Sequence, residues 1–216
     1  AKECVDEAQG TPIYSTGAKN VHPNVSATMD YASIIGGCIS CSTILGARMS
    51  GVTPITIMSH SLSLIMGDTV RALQSFDKHT PQDIPRIALV DTHRDESEEA
   101  IATARVLKNR LRGIRIDTSS ERGGVTVNLV KEVRARLDLA GFQHVDISIS
   151  GGLTPAKIKN FIESKSPVQS FGVGSYIASA NSNPFTGDIH EIDDRPIAKR
   201  GRIPGVTINN RLHRII

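Results

Sequence analysis

The chain has 216 residues, a net charge of +3 at neutral pH, no tryptophan, three tyrosines and five phenylalanines. Its length allows one domain with its own core, and its composition argues against a dedicated nucleic-acid surface, which usually combines a dense basic face with stacking aromatics. No apolar run reaches membrane-spanning length and the first ten residues do not resemble a secretion signal, so we expect a cytoplasmic protein without membrane or nucleic-acid partners.

The first half of the chain alternates between strand and helix patterns. The predicted elements are, in order, a strand at 12–16, helices at 25–35 and 40–49, a strand at 52–58 and one helix at 62–76. The pair Gly36-Gly37 suits the end of the first helix. Cys38 and Cys41 form a C-x-x-C without a second pair at zinc-like spacing, so we expect buried thiols at the start of the second helix.

The second half repeats the alternation more regularly. Its predicted elements are strand 86–91, helix 95–111, strand 113–117, helix 125–139, strand 144–150, a helix from 155 and strand 168–171. Acidic residues in the first turn of helix 95–111 suit the helix dipole. We find no hairpin signal between the strands, so crossovers must join parallel strands. We divide the chain into a barrel domain at 1–180 and a C-terminal extension at 181–216.

Polar or glycine residues recur where the predicted strands end. They are His60, Asp91, Asp117, Gly151 and Gly172. An active site at the carboxyl face of a parallel barrel needs this placement. The predicted fold is therefore α/β, an irregular or incomplete (β/α) barrel of parallel strands with a short irregular C-terminal extension. A doubly wound open sheet stays possible, because it also binds ligands at its carboxyl edge.

Two successive strands end in glycine pairs. The candidate binding positions there are Ser150, Gly151, Gly152, Gly172 and Gly174. Glycine-rich strand ends, one of which leads into a helix N-terminus, let backbone N–H groups converge on an anion. In (β/α) barrels the last strands commonly form a phosphate site in this way, so we predict a sugar-phosphate or nucleotide ligand.

Several motifs together resemble the archaeal-type nicotinate phosphoribosyltransferases. They are IALVDT, GIRIDTSSERGG, ISGGLTP, FGVGSYI and IAKRGRIPG, in that order. The resemblance implies transfer of the phosphoribosyl group of 5-phosphoribosyl-1-pyrophosphate (PRPP) to nicotinate, which yields nicotinate mononucleotide and pyrophosphate in NAD biosynthesis, commonly with ATP as co-substrate. It also implies a barrel that follows an N-terminal domain. We therefore expect this chain to be the barrel portion of such an enzyme, and to act as a homo-oligomer or together with a chain that supplies the missing domain.

The resemblance also implies roles for individual residues. Asp117 would bind the ribose hydroxyls and Arg115 would face substrate, while Asp91 would support the same sugar or bind Mg²⁺. His60 matches a histidine that ATP phosphorylates in many relatives. Lys19 stands where relatives carry an arginine that recognises the pyridine ring or its carboxylate, and lysine keeps the charge but loses bidentate recognition.

Alternatives remain open at this point. The chain could be a non-catalytic or degenerate barrel subunit that binds a phosphorylated ligand, or a related transferase that uses nicotinamide or quinolinate. An unrelated sugar-phosphate lyase or isomerase would need a Schiff-base lysine at a strand end, and none of the strand runs supplies one.

Overall fold

The computed structural model describes residues 1–182 and 184–211. The chain forms two compact units, Ala1–Ala180 and a second that begins at Asn181. The strands of the first unit are β1 (Ile13–Ser15), β2 (Ser40–Cys41), β3 (Arg86–Leu89), β4 (Leu111–Ile116), β5 (Asp146–Ile149) and β6 (Ser170–Val173). Its helices are α1 (Lys2–Glu7), α2 (Pro23–Ile35), α3 (Ile44–Ser50), α4 (His60–Met66), α5 (Thr69–His79), α6 (Glu96–Leu107), α7 (Val127–Leu139), α8 (Pro155–Glu163) and α9 (Ser175–Ala178).

The six strands are parallel and lie in the order β2-β1-β6-β5-β4-β3. They form an incomplete α/β barrel, as predicted. Alternate residues such as Ile114, Ile116, Ile147 and Ile149 are fully buried, because crossover helices cover the outer face of a parallel sheet. All six strands point the same way, so their carboxyl ends meet along one edge.

The strand predicted at 52–58 does not form. This segment is irregular, and its hydrogen bonds include one from the backbone N–H of Ile55 to the carbonyl of Cys41 at 2.9 Å and one from Arg115 Nη2 to the carbonyl of Met58 at 2.9 Å. Pro54 has no N–H to give to a ladder. The β-rich composition therefore produces extended chain beside β2 without a seventh strand.

Two predicted helices are also corrected. The helix at 40–49 begins later, because Ser40 and Cys41 pair with β1 and Thr43 caps α3. Its cysteines consequently lie before and within β2, where they are buried as expected. The helix at 62–76 is two helices, since Gly67 at φ +72° ends α4 and Asp68 caps α5. His60 is thus the first residue of α4 and does not end a strand.

Helix α6 is shorter than predicted. Lys108, at φ +50°, ends it, and β4 already begins at Leu111, which the sequence placed in the helix. A short 3₁₀ turn joins the two elements. Among the described residues, no helix is both long and apolar enough to cross a bilayer.

The second unit, the predicted short extension, contains one small hairpin that the sequence did not indicate. Strands β7 (Glu191–Ile192) and β8 (Arg195–Pro196) pair antiparallel. Asp193 and Asp194 have φ values of +47° and +59°. Positive φ at both central residues is the requirement of a two-residue type I′ turn, and aspartate tolerates it better than most residues.

Candidate active site

Asp117 stands at the carboxyl end of β4 and is held from three sides. Its backbone N–H donates to Asp91 Oδ2 at 2.9 Å, and the hydroxyl of the next residue, Thr118, donates to Glu96 Oε1 at 2.7 Å. A Cβ on Gly151, at the end of β5, would lie only 2.7 Å from Asp117 Oδ1. Within the described residues the Asp117 carboxylate accepts no hydrogen bond itself. The backbone at Asp117 is therefore restrained, while its carboxylate oxygens have no donor among the described residues.

Asp91 joins two of the predicted functional residues. Its side chain is 1% exposed, and its Oδ1 lies 3.0 Å from His60 Nε2 while its Oδ2 accepts from Asp117. Because a carboxylate only accepts, His60 Nε2 must carry the proton, which leaves Nδ1 as the other ring nitrogen. This hydrogen bond raises the pKa of His60 above its usual 6.5, although partial burial opposes the rise.

Arg115 faces the barrel interior beside these residues. Burial lowers the pKa of its guanidinium, and the carboxylates of Asp117 and Asp91 oppose that fall. A guanidinium keeps its charge at any ordinary pH. Its Nη2 bonds to the carbonyl of Met58, while its Nε is buried without a partner among the residues described. Arg115 is thus a buried cation whose donors are incompletely used.

A cavity of about 520 Å³ opens inside the barrel next to Arg115. Its lining residues come from β1, β3, β4, β5, β6 and the segment 52–58; they include Tyr14, Ile57, Ile87, Arg115, Ser148 and Ser170. Apolar walls with a few polar groups are typical of small-molecule sites. A larger hollow, of about 910 Å³, lies where β3 and β4 begin, and there Arg86 and Arg110 are both paired with Asp77. That second hollow lies at the opposite end of the strands from Asp117.

The loop after β5 has the conformation that the glycines allow. Gly151 and Gly152 have φ values of +94° and +58°, which other residues adopt at a cost. Thr154 caps α8 by accepting from the backbone N–H of Lys157, and Lys157 Nζ donates to the carbonyl of Gly152 at 2.9 Å. The buried hydroxyl of Ser150 has no partner within the described chain. This loop therefore gathers a helix N-terminus, a cation and an unsatisfied hydroxyl.

The loop after β6 packs directly against the first one. A Cβ on Gly172 would lie 3.2 Å from Cβ of Ser150, and one on Gly174 would lie 3.1 Å from Thr16 Oγ1 at the end of β1. The structure thus brings Ser150, Gly151, Gly152 and Gly174 to adjoining strand ends. Gly172 instead lies inside β6 and lines the interior cavity, which corrects its predicted place at a strand end. Lys19 lies in the turn that follows β1 and is exposed; no hydrogen bond ties its side chain to the site within the described chain.

Two side chains of the site were not singled out from the sequence. Glu96 was assigned only to the helix dipole, yet it is 2% exposed and bonded to Thr118. Lys157 reaches the glycine loop. A lysine in the first helical turn after a strand-Gly-Gly motif was the signal available for Lys157, whereas nothing local marks the contact between Glu96 and Thr118.

Comparison with known proteins identifies the family. A family model described as "Quinolinate phosphoribosyl transferase, C-terminal domain" matches residues 1–186. The chain is 30% identical over 187 residues to nicotinate phosphoribosyltransferase pncB2 of Mycobacterium tuberculosis, which covers 85% of this chain and 39% of the relative. It is 24% identical over 163 residues to nicotinate phosphoribosyltransferase of Bacillus subtilis, covering 74% of this chain and 32% of that protein.

Solved structures give the same result. A structure of nicotinate-nucleotide pyrophosphorylase from Pyrococcus furiosus superposes with a TM-score of 0.83 at 40% identity, covering 95% of this chain and 52% of that one. Nicotinate phosphoribosyltransferase from Vibrio cholerae shares the fold, with a TM-score of 0.63 at 16% identity over 82% of this chain and 46% of that chain. The chain spans about half the length or less of these relatives. The resemblance seen in the sequence motifs is confirmed, and the chain belongs to the quinolinate phosphoribosyl transferase family, whose C-terminal domain it matches.

Proposed function

We propose that this chain carries the site that joins nicotinate to PRPP, giving nicotinate mononucleotide and pyrophosphate in NAD biosynthesis. The observation that carries the proposal is the position of Asp117, whose backbone is bonded to Asp91 of the Asp91–His60 pair on one side and whose carboxylate adjoins the Gly151 loop on the other. Displacement at C1 of the sugar builds positive charge on the ring, so the site must fix the ribose and stabilise an anionic leaving group. The names of the relatives support this reaction.

The arrangement of strand ends suggests how the donor lies. The 5′-phosphate would meet the backbone N–H groups of Gly151, Gly152 and Gly174, with Lys157 beside them. The ribose hydroxyls would donate to Asp117 on the adjacent strand. The leaving diphosphate would then lie toward β3 and α4, near His60. Each group of the donor therefore has a partner of suitable charge along one edge of the barrel.

Mg²⁺ fits this site as part of the donor complex. No group of three or more His, Cys, Asp or Glu side chains among the described residues could hold a metal ion alone, but Mg²⁺ is usually bound by one or two carboxylates together with substrate phosphates. Both oxygens of Asp91 already accept hydrogen bonds, so Asp117 is the better placed of the two predicted carboxylates. The ion would neutralise charge on the diphosphate.

The interior cavity is the proposed pyridine site. Tyr14 and Ile87 offer flat apolar contacts, while the hydroxyls of Ser148 and Ser170, 2.7 Å apart, and the Arg115 guanidinium offer polar ones. Arg115 could replace the relatives' arginine in meeting the nicotinate carboxylate, because its Nε lacks a partner within the described chain. Lys19 would then be a secondary contact.

ATP coupling through His60 is a further part of the proposal. Asp91 accepts a hydrogen bond from the N–H at Nε2 and so leaves Nδ1 as the attacking nitrogen. Attack would transfer the γ-phosphoryl group to Nδ1 and release ADP, and the added negative charge would order basic groups around the donor. Because attack needs a neutral imidazole, the raised pKa of His60 predicts that phosphorylation speeds up as the pH rises through it.

A second candidate substrate is quinolinate. The name of the matching family and that of the Pyrococcus furiosus relative favour it. Quinolinate carries one more carboxylate than nicotinate and would have to lose it as carbon dioxide to give the same mononucleotide. A substrate with that extra charge would need a second cation in the cavity, and among the described lining residues Arg115 is the cation present.

The test is a transfer assay on the purified chain with PRPP, Mg²⁺ and, in parallel, nicotinate, nicotinamide or carboxyl-labelled quinolinate. We expect nicotinate mononucleotide from nicotinate and loss of that product, by at least about 100-fold, in Asp117→Asn. Asp146→Asn is the matched control, because this aspartate lies at the opposite end of the barrel and pairs with Arg112. Binding of a mononucleotide without turnover would favour the non-catalytic alternative, and release of labelled carbon dioxide would identify quinolinate.

A further inference from the structure

A buried carboxylate links the start of α6 to the loop after β4 at the carboxyl edge of the barrel. The Glu96 side chain is 2% exposed at the start of α6, and it meets two residues from the loop after β4. Its Oε1 accepts from the Thr118 hydroxyl at 2.7 Å and its Oε2 lies 3.5 Å from Arg122 Nη2. An unpaired buried carboxylate would be costly, so the short bond from Thr118 and the longer ion pair with Arg122 both compensate the burial of Glu96.

Arg122 is the exposed member of this group. Its side chain is 54% exposed, and within the described chain its hydrogen bonding is limited to the long contact with Glu96. A guanidinium has five N–H donors, so most of those on Arg122 face solvent. Arg94, which is equally exposed, is instead engaged by Glu98 at 3.0 Å. Arg122 is thus a positioned cation with unused donors.

The position of Arg122 relative to Asp117 indicates which part of a ligand it can reach. Gly151 approaches Asp117 from the β5 side, where the phosphate loops lie. Arg122 contacts Glu96, which belongs to α6 and therefore to the β3 side. If the 5′-phosphate of the donor binds at the glycine loops and its ribose binds at Asp117, the diphosphate lies on the β3 side, where Arg122 is.

We propose that Arg122 binds the diphosphate group of PRPP and that Glu96 is the residue that positions it. The inference rests on the phosphoribosyl-transfer function proposed above. Asp91, Asp117 and Glu96 place three carboxylates at this edge of the barrel, so a trianionic leaving group needs a cation close by. The planar guanidinium can hold two phosphate oxygens at once, and its salt bridge to Glu96 orders it before the donor arrives.

Calorimetric titration in Mg²⁺ buffer with PRPP, inorganic pyrophosphate and ribose 5-phosphate separates the two ends of the donor. Arg122→Gln should weaken the binding of PRPP and of pyrophosphate by roughly 10- to 100-fold, which corresponds to the contribution of one hydrogen bond to a charged group. Ribose 5-phosphate, which has no diphosphate, should bind within about twofold of the unsubstituted chain. Arg122→Lys should recover part of the loss, because it keeps the charge without the bidentate geometry.

Glu96→Gln tests the positioning role. Glutamine still accepts from Thr118 but cannot pair with Arg122 electrostatically, so the pyrophosphate affinity should fall less than in Arg122→Gln. If Glu96 acts through Arg122, the double variant should bind pyrophosphate no more weakly than Arg122→Gln alone. Arg112→Gln is the control, since Arg112 is 68% exposed and lies at the opposite end of the strands with Asp146.

Three results would overturn the inference. Pyrophosphate binding by Arg122→Gln that equals that of the unsubstituted chain would remove Arg122 from the site while leaving the proposed function intact. An equal loss for ribose 5-phosphate would show that the substitution disturbs the whole site. Absence of PRPP binding by the unsubstituted chain would overturn the proposed function and this inference together.

Discussion

Gly151→Ala and Gly152→Ala form a matched pair that tests whether the position of Asp117 controls the chemistry. Both glycines have positive φ, at +94° and +58°, so either alanine strains the backbone. Only Gly151 approaches Asp117: its added Cβ would lie 2.7 Å from Asp117 Oδ1, whereas the Cβ at Gly152 would have Lys157 Nζ as its nearest neighbour at 3.7 Å.

The expected magnitudes follow from this geometry. Positive φ costs an alanine roughly 1–2 kcal/mol, which lowers the Tm of a domain of this size by about 2–8 °C in both variants. At Gly151 the contact is about 0.7 Å shorter than the 3.4 Å at which ordinary contact begins, so the Asp117 carboxylate must move by a comparable distance. A misplacement of about 1 Å at a reacting centre can cost 100-fold in rate.

The assay compares thermal unfolding and nicotinate transfer in the two variants. We expect similar losses of Tm, with kcat/KM for PRPP reduced by about 10- to 100-fold in Gly151→Ala and by less than about threefold in Gly152→Ala. An equal loss of kcat/KM in both variants would mean that backbone strain, and not displacement of Asp117, explains the effect. Unchanged transfer in a folded Gly151→Ala protein would refute the role of Asp117.

Three further predictions concern the Asp91–His60 pair and assembly. Asp91→Asn should lower the pKa of His60 toward 6.5 in an NMR titration, and an unchanged titration would contradict the contact. Because the pKa of His60 is raised in the folded protein, the stability that this pair contributes is present below pH 6.5 and is lost as the pH rises through the folded value. His60→Ala should abolish ATP hydrolysis and its stimulation of transfer while slow ATP-independent transfer persists, so a variant still stimulated by ATP would make His60 a structural residue. Large apolar side chains such as Ile35 and Ile44, 71% and 63% exposed, predict self-association or a partner chain, and sedimentation of a stable active monomer would contradict this.

The sequence located the strand ends that build the candidate site. Strand-terminal Asp91 and Asp117 and the glycine pair at 151–152 could be assigned from local patterns, because parallel strands bring their carboxyl ends to one edge regardless of packing detail. The family motifs supported the same positions. The prediction of a strand at 52–58 was wrong because β propensity does not show whether a neighbouring strand is placed to form backbone hydrogen bonds with the segment. Pro54 also removes one backbone N–H donor from any such pairing.

Only the tertiary structure decided how these residues are connected. The bond between His60 and Asp91 spans 31 positions along the chain and that between Glu96 and Thr118 spans 22. Helical or strand periodicity carries no information about such contacts, since they depend on how far each loop extends over the barrel edge. The sequence by itself thus determined which residue types stand at the edge. Packing determined that both oxygens of Asp91 accept hydrogen bonds, that Asp117 donates its backbone N–H to Asp91, and that Glu96 pairs with Arg122.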